Sequence, residues 1–184
     1  MGGRELRGDF GHGRRRRHLE QPGSPPTPLS CDRTTLTDVT FADSDHGWAV
    51  GANAILSTTD GGRTWTRQSA PGSGLYDAFF LDARRGWIVG SSVILATVDG
   101  GASWTVQNAG LADVALLGVA FAMPSRGWAV GIARDGNQQG VILGTADGGR
   151  SWVREDAPST AMLRGVTAHG PAHAWVVGTD IFHR

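Results

Sequence analysis

The octapeptide TTDGGRTW at Thr58–Trp65 returns as TVDGGASW at Thr97–Trp104 and as TADGGRSW at Thr145–Trp152. A chain that writes Thr-x-Asp-Gly-Gly-x-(Ser/Thr)-Trp three times is built from repeated units, which narrows its architecture more than any other feature. The similarity extends well beyond the box. The first unit reads LTDVTFADSDHGWAVGANAILSTTDGGRTWTRQ and the second LYDAFFLDARRGWIVGSSVILATVDGGASWTVQ. The third reads LLGVAFAMPSRGWAVGIARDGNQQGVILGTADGGRSWVRE, and a fourth, LRGVTAHGPAHAWVVGTDIFHR, stops before its box. The units cover about 36–69, 75–108, 116–156 and 163–184. Phe41, Phe80, Phe121 and Ala168 each stand seven residues before a Trp: Trp48, Trp87, Trp128 and Trp175. From that Trp to the box Asp the distance is twelve residues in the first two units and nineteen in the third. The third unit thus carries a seven-residue insertion around RDGNQQG, Arg134 to Gly140.

Each complete unit holds four short apolar runs, such as LTDVTF, GWAVG, AILSTT and WTRQ, split by the polar connections ADSDH, AN and DGGRT. Runs of four to six residues rich in Val, Ile, Thr, Phe and Trp predict strands, and the short connections predict hairpins. Four antiparallel strands per unit of roughly 40 residues is the periodicity of propeller blades. The expected fold is all-β: a partial propeller of about three and a half four-stranded blades over residues 34–184, preceded by a disordered tail over 1–33.

The box falls between the third and fourth strands of each unit. There Asp60, Asp99 and Asp147 can accept turn N–H groups. Gly61, Gly62, Gly100, Gly101, Gly148 and Gly149 can take positive φ. Trp65, Trp104 and Trp152 can fold back over the turn. The expectation is a structural turn. A calcium loop needs several oxygen ligands at alternating positions, and each box supplies one carboxylate. No metal and no cofactor is expected.

Residues 1–33 contain seven Arg against four acids, with abundant Gly, Pro and Ser, and such a segment buries too little apolar surface to order itself. The remainder holds ten Arg against thirteen acids, so it is not a basic nucleic-acid surface. All 17 basic residues are Arg. Cys31 is the single cysteine and allows no internal disulfide. No apolar stretch reaches the length of a membrane span. GRRRRH is followed by LEQPGSPPTPLS where an export signal would place apolar residues, so the chain as written carries no such signal.

These repeats resemble the Asp-box, or bacterial neuraminidase repeat. The flanking F-x(5)-GWAVG…IL-x-T-x-DGG-x-(S/T)W resembles the photosystem II stability/assembly factor family over residues 36–184. That resemblance implies a seven-bladed propeller acting as a non-enzymatic assembly chaperone, usually exported to the periplasm, thylakoid lumen or cell exterior. The chain departs in its fewer units, its missing fourth box and the absent export signal. The expectation is a protein-binding or assembly module, with a piece of a longer propeller as one form of it. Partners are then another protein, further blades, or a second copy through open blade edges.

Asp-box repeats also decorate sialidases and glycanases, so the alternative is an accessory or degenerate part of such an enzyme. A sialidase needs a Tyr nucleophile with a Glu partner, and the repeat region offers only Tyr76 and Glu155, in different units. Asp38 and Asp77 hold equivalent positions and can approach each other near a propeller axis; Gly118 and Gly165 take that position later. No catalytic residue is assigned. His46, His169 and His173 fall in turns and give no metal-ligand spacing on a helix. Two candidate binding rims remain: Arg84, Arg85 and Arg126 in the turns before the GW strands, and Arg134 and Asp135 in the insertion.

Overall fold

The computed structural model describes residues 35–69, 71–107, 110, 112–136, 139–157, 162–170, 173–178 and 181–183. The expected disordered tail, RRRR and Cys31 lie outside these residues.

Four antiparallel sheets follow one another along the chain. Blade 1 comprises β1 (Leu36–Phe41), β2 (Gly47–Gly51), β3 (Ala54–Thr58) and β4 (Thr66–Gln68). Blade 2 comprises β5 (Leu75–Phe80), β6 (Gly86–Gly90), β7 (Val93–Thr97) and β8 (Thr105–Val106). Blade 3 comprises β9 (Val114–Met123), β10 (Arg126–Ala133), β11 (Gly140–Thr145) and β12 (Val153–Glu155). The described part of blade 4 is β13 (Gly165–His169), β14 (His173–Val177) and β15 (Ile181–His183). Strand order within each sheet is sequential. The expected three four-stranded sheets and a partial fourth are what the chain forms, and no helix occurs among the described residues. Next to the insertion the strand lengthens: β10 runs eight residues, to Ala133, where β2 and β6 run five.

Alternation along each strand assigns its side chains to two faces. On the face toward the following blade stand Trp48, Val50 and Ile55 in blade 1, Trp87, Val89 and Ile94 in blade 2, and Trp128, Val130 and Ile142 in blade 3. All nine are buried. On the face toward the preceding blade stand Ala78, Ile88 and Leu95 in blade 2, then Val119, Ala129 and Leu143 in blade 3. The core is therefore divided among three junctions between adjacent blades. The first strands of the blades neighbour one another in sequence, β1 beside β5, β5 beside β9 and β9 beside β13.

Candidate functional site

The three boxes share one hydrogen-bond pattern. Thr58, Thr97 and Thr145 end the third strands, and each is only 3% exposed. Thr97 Oγ1 donates to Asp99 Oδ1 (2.8 Å) and accepts the Gly101 N–H (2.8 Å). Asp99 in turn accepts the Ser103 N–H (2.9 Å) and hydroxyl (2.6 Å). Asp60 and Thr64 repeat this with Thr58, and Asp147 and Ser151 with Thr145. The Ser or Thr hydroxyl is the chief reason each box carboxylate is lowered to about 2, aided by the backbone N–H of the same residue. The Thr, Asp and Ser/Thr side chains that recur in all three boxes are thereby used inside the turn.

The box also reaches outward. Gly100 N–H donates to Arg84 O across to the β5–β6 turn of its own blade, as Gly61 does to Asp45 O and Gly148 to Ser125 O. Trp48 Nε1–H of blade 1 donates to Gly100 O of blade 2 (3.0 Å), and Trp87 Nε1–H of blade 2 to Gly148 O of blade 3 (3.3 Å). Gln68 and Gln107, from β4 and the residue after β8, donate to the same two carbonyls (3.0 and 3.2 Å). Gly101 and Gly149 have φ of 90° and 86°, and a Cβ on either would overlap the Gln68 or Gln107 amide. Phe80 stacks on Trp48 and Phe121 on Trp87, each with ring centroids 3.5 Å apart. The boxes of blades 2 and 3 thus sit at the seam with the blade before them.

Asp38 and Asp77 also reach from blade to blade. Asp38 Oδ2 accepts the Ala78 N–H (3.0 Å) and Asp77 Oδ2 the Val119 N–H (2.8 Å). Burial, augmented by the neighbouring Asp38 charge, raises Asp77 to about 7 against the pull of the Val119 N–H. Thr37 adds a bond from its hydroxyl to Leu75 O (2.9 Å). At the third junction Gly118 replaces the carboxylate, and a Cβ there would stand 3.0 Å from the Gly165 Cα. That is too close for an ordinary side chain, so the glycine pair lets the two backbones approach.

The two arginine candidates lie at opposite ends of the blades. Arg126 opens β10 and Arg134 follows its last residue. At the box end, Arg85 forms a two-nitrogen ion pair with Asp82 (2.8 and 2.7 Å), and Arg126 lies 5.0 Å over the Trp128 ring. Arg84 is exposed. A groove of about 610 Å³ opens there between blades 2 and 3, lined by Arg85, Trp87, Ser103, Gln107, Asp147 and Arg150. At the other end, Arg134 donates to Tyr76 Oη (3.1 Å), which shares a hydrogen bond with Ser91 Oγ (3.0 Å). Ser91, then Arg134, lower the Tyr76 pKa. Asp135 is exposed next to Arg134. Glu155 ends β12 and its carboxylate lies against Gly144, so it is not brought to Tyr76.

Two histidines are not in turns. His169 ends β13, His173 begins β14, and the two pair in register. His173 Nδ1 lies 2.9 Å from His183 Nε2. His46 does occupy a turn, where its Nδ1 meets the Asp43 carboxylate (3.0 Å). Sequence reasoning gave the box Asp the main turn-closing part and overlooked Thr58, Thr97 and Thr145, although Thr opens all three boxes. It also missed Gln68 and Gln107, each at a fixed three residues beyond a box Trp.

Sheets of sequential antiparallel strands, joined face to face with an Asp box in each of the first three, have the architecture of an Asp-box β-propeller. The family described as PSII_BNR, Photosynthesis system II assembly factor YCF48, matches residues 27–106. Over those residues the repeats of this chain are similar to those of that photosystem II assembly-factor family. The Photosystem II assembly protein Ycf48 of Thermosynechococcus vestitus is 53% identical over 32 residues, which is 17% of this chain and 9% of that protein. Among solved structures, YCF48 bound to D1 peptide is 16% identical with a TM-score of 0.53, covering 82% of this chain and 63% of that one. An ancestral GH74 enzyme is 13% identical with a TM-score of 0.65, covering 82% of this chain and 22% of that one. The chain spans less than two thirds of each of these relatives. At such identities the two structures establish the shared propeller fold.

Proposed function

We propose that the chain is a non-enzymatic propeller module that binds a segment of another protein, as an assembly factor does. The observation that carries this reading is the assembly-factor repeat across blades 1 and 2. A similar protein, YCF48, has been seen holding D1 peptide. The groove between blades 2 and 3 is the place for such a segment. Arg85 and Arg150 offer guanidinium donors for carboxylate or backbone carbonyl groups, Gln107 adds a polar amide, and Trp87 an aromatic wall. The boxes themselves are turns and seams in this reading, because their side-chain oxygens are committed within the turn.

A labelled D1-derived peptide titrated onto the chain should bind saturably, followed by fluorescence anisotropy. Arg85→Ala with Arg150→Ala should weaken it at least about tenfold, the effect of losing about 1.4 kcal/mol. Absence of saturable binding, or binding indifferent to both arginines, would count against the reading.

One observation favours the alternative of a carbohydrate-active enzyme: Asp38 and Asp77 adjoin, and Asp77 holds its proton to about 7. Both carboxylates accept backbone N–H groups inside the blade junctions, which fits a clamp better than an open acid–base pair. Turnover of xyloglucan or a sialoside by the pure protein, lost in Asp77→Asn, would establish the alternative.

A further inference from the structure

A further cavity, of about 510 Å³, opens at the end of the blades away from the boxes, where blades 2, 3 and 4 meet. Tyr76 reaches it from β5, Leu117 from β9, Ile132 and Arg134 from the last turn of β10, and Met162 and Arg164 from the segment ahead of β13. Backbone ties fix this corner. Ser91 bridges to Ala115 between blades 2 and 3, and the Ser92 N–H donates to Val114 O (2.7 Å). The Leu163 N–H donates to Gly131 O of blade 3 (3.3 Å), which holds the approach to blade 4 against the same strand that carries Ile132.

The charge in this cavity has one sign. Arg134 and Arg164 both line it, and its described walls hold no acidic side chain; Asp135, next along the chain, is not among them. Arg134 is held in place by blade 2: its Nη2 donates to Tyr76 Oη (3.1 Å) and its Nη1 to Ser91 Oγ (3.4 Å). A guanidinium carries five N–H donors, so two such bonds leave others for a ligand. Ser91 first, and then Arg134 by hydrogen bond and charge, lower the Tyr76 pKa, as a positive field at the phenol should. The remaining walls are apolar side chains and one glycine.

We propose that this cavity binds a small monocarboxylic acid with an apolar chain, its carboxylate taken by Arg134 and Arg164 beside the Tyr76 hydroxyl and its chain laid over Leu117, Ile132 and Met162. Guanidinium groups give carboxylates paired, charge-assisted hydrogen bonds. The volume falls in the range of small-molecule pockets, about 300–1,000 Å³, and a few convergent polar groups over apolar walls are the usual make-up of one. A peptide main chain would bring amides for which the apolar walls offer no side-chain partner. The cavity lies at the opposite end of the blades from the Arg85 groove, so the inference is independent of the assembly-factor reading.

Octanoate titrated into the full chain, followed by calorimetry, tests it. Saturable binding is expected, weakened at least about tenfold in the double variant Arg134→Gln, Arg164→Gln. Both arginines are exposed, so this variant should keep the wild-type far-ultraviolet spectrum. 1-Octanol, with the same chain and no charge, should show no saturable binding at the concentrations where octanoate saturates. Tyr76 is the single tyrosine, so phenolate absorbance reads this site alone. Bound octanoate should offset the Arg134 charge and raise the phenol pKa in the wild type but not in the double variant. Absence of saturable octanoate binding, equal binding of 1-octanol, binding indifferent to the two arginines, or a phenol titration that octanoate does not move would each overturn the proposal.

Discussion

The first two junctions and the third are held together by different means. Between blades 1 and 2, and again between 2 and 3, a Phe stacks on a Trp, an Asp clamps a backbone N–H, and a Trp indole and a Gln amide converge on a box carbonyl. Between blades 3 and 4 the Phe position holds Ala168 and the Asp position holds Gly118. That junction is closed by apolar burial, with Leu163, Ala174 and Val176 packed against Trp128, Val130 and Ile142, by the Leu163 N–H donating to Gly131 O, and by close approach of Gly118 and Gly165. The difference teaches that the Asp box is a device of the seam. In blades 2 and 3 it receives a Trp and a Gln from the preceding blade.

The comparison can be broken by making a strong junction resemble the weak one. Phe121→Ala copies the Ala168 position and removes the ring stacked on Trp87. It should cost about 3–5 kcal/mol, read from denaturant or thermal unfolding. Ala168→Gly at the third junction should cost far less, and equal effects would mean the stacks carry no special weight.

Asp77 sharpens the comparison through pH. Its folded pKa of about 7 lies above the ordinary 3.8, so the folded state holds the proton more tightly than the unfolded chain. Stability from this group is full below about 4 and is lost as pH rises through 7. The box carboxylates act oppositely: lowered to about 2, they favour folding above about 4 and lose that contribution as pH falls toward 2. Asp77→Asn should flatten the decline between pH 4 and 7 and leave the acid limb unchanged, as followed by melting temperature against pH.

Smaller effects test the box in detail. Thr97→Val leaves the Gly101 N–H buried without its acceptor and should cost about 1–3 kcal/mol. At the second junction Gln107 Oε1 accepts the Trp152 Nε1–H (3.1 Å), whereas at the first Gln68 Oε1 and Trp104 Nε1 are buried without partners. Each Gln makes two side-chain bonds, Gln68 also reaching Ser57 Oγ. Gln107→Leu strands the Trp152 indole, whereas Gln68→Leu removes a buried oxygen without a partner, so Gln107→Leu should be costlier by about 1 kcal/mol.

The blade count, strand order and box turns were legible because each rests on local signals: short apolar runs, Gly pairs and a fixed spacing. What passed between blades was not legible. The Thr37 hydroxyl reaching Leu75 O, or Trp48 reaching Gly100 O, spans 38 or 52 residues, and no local pattern encodes such a distance. The Asp38–Asp77 approach was visible as a repeat-position match, but the N–H groups they clamp were not. The two arginine candidates could not be placed on opposite ends until the strands gave Arg126 and Arg134 a direction.

Hydrogen exchange on Phe80→Leu tests the seam directly. If the box and its flanking aromatics lock one blade to the next, loosening this ring should speed exchange in β2 of blade 1 and in the Gly100–Gly101 turn of blade 2 together. Faster exchange confined to β5 and β6, with β2 as protected as in the wild type, would contradict the account.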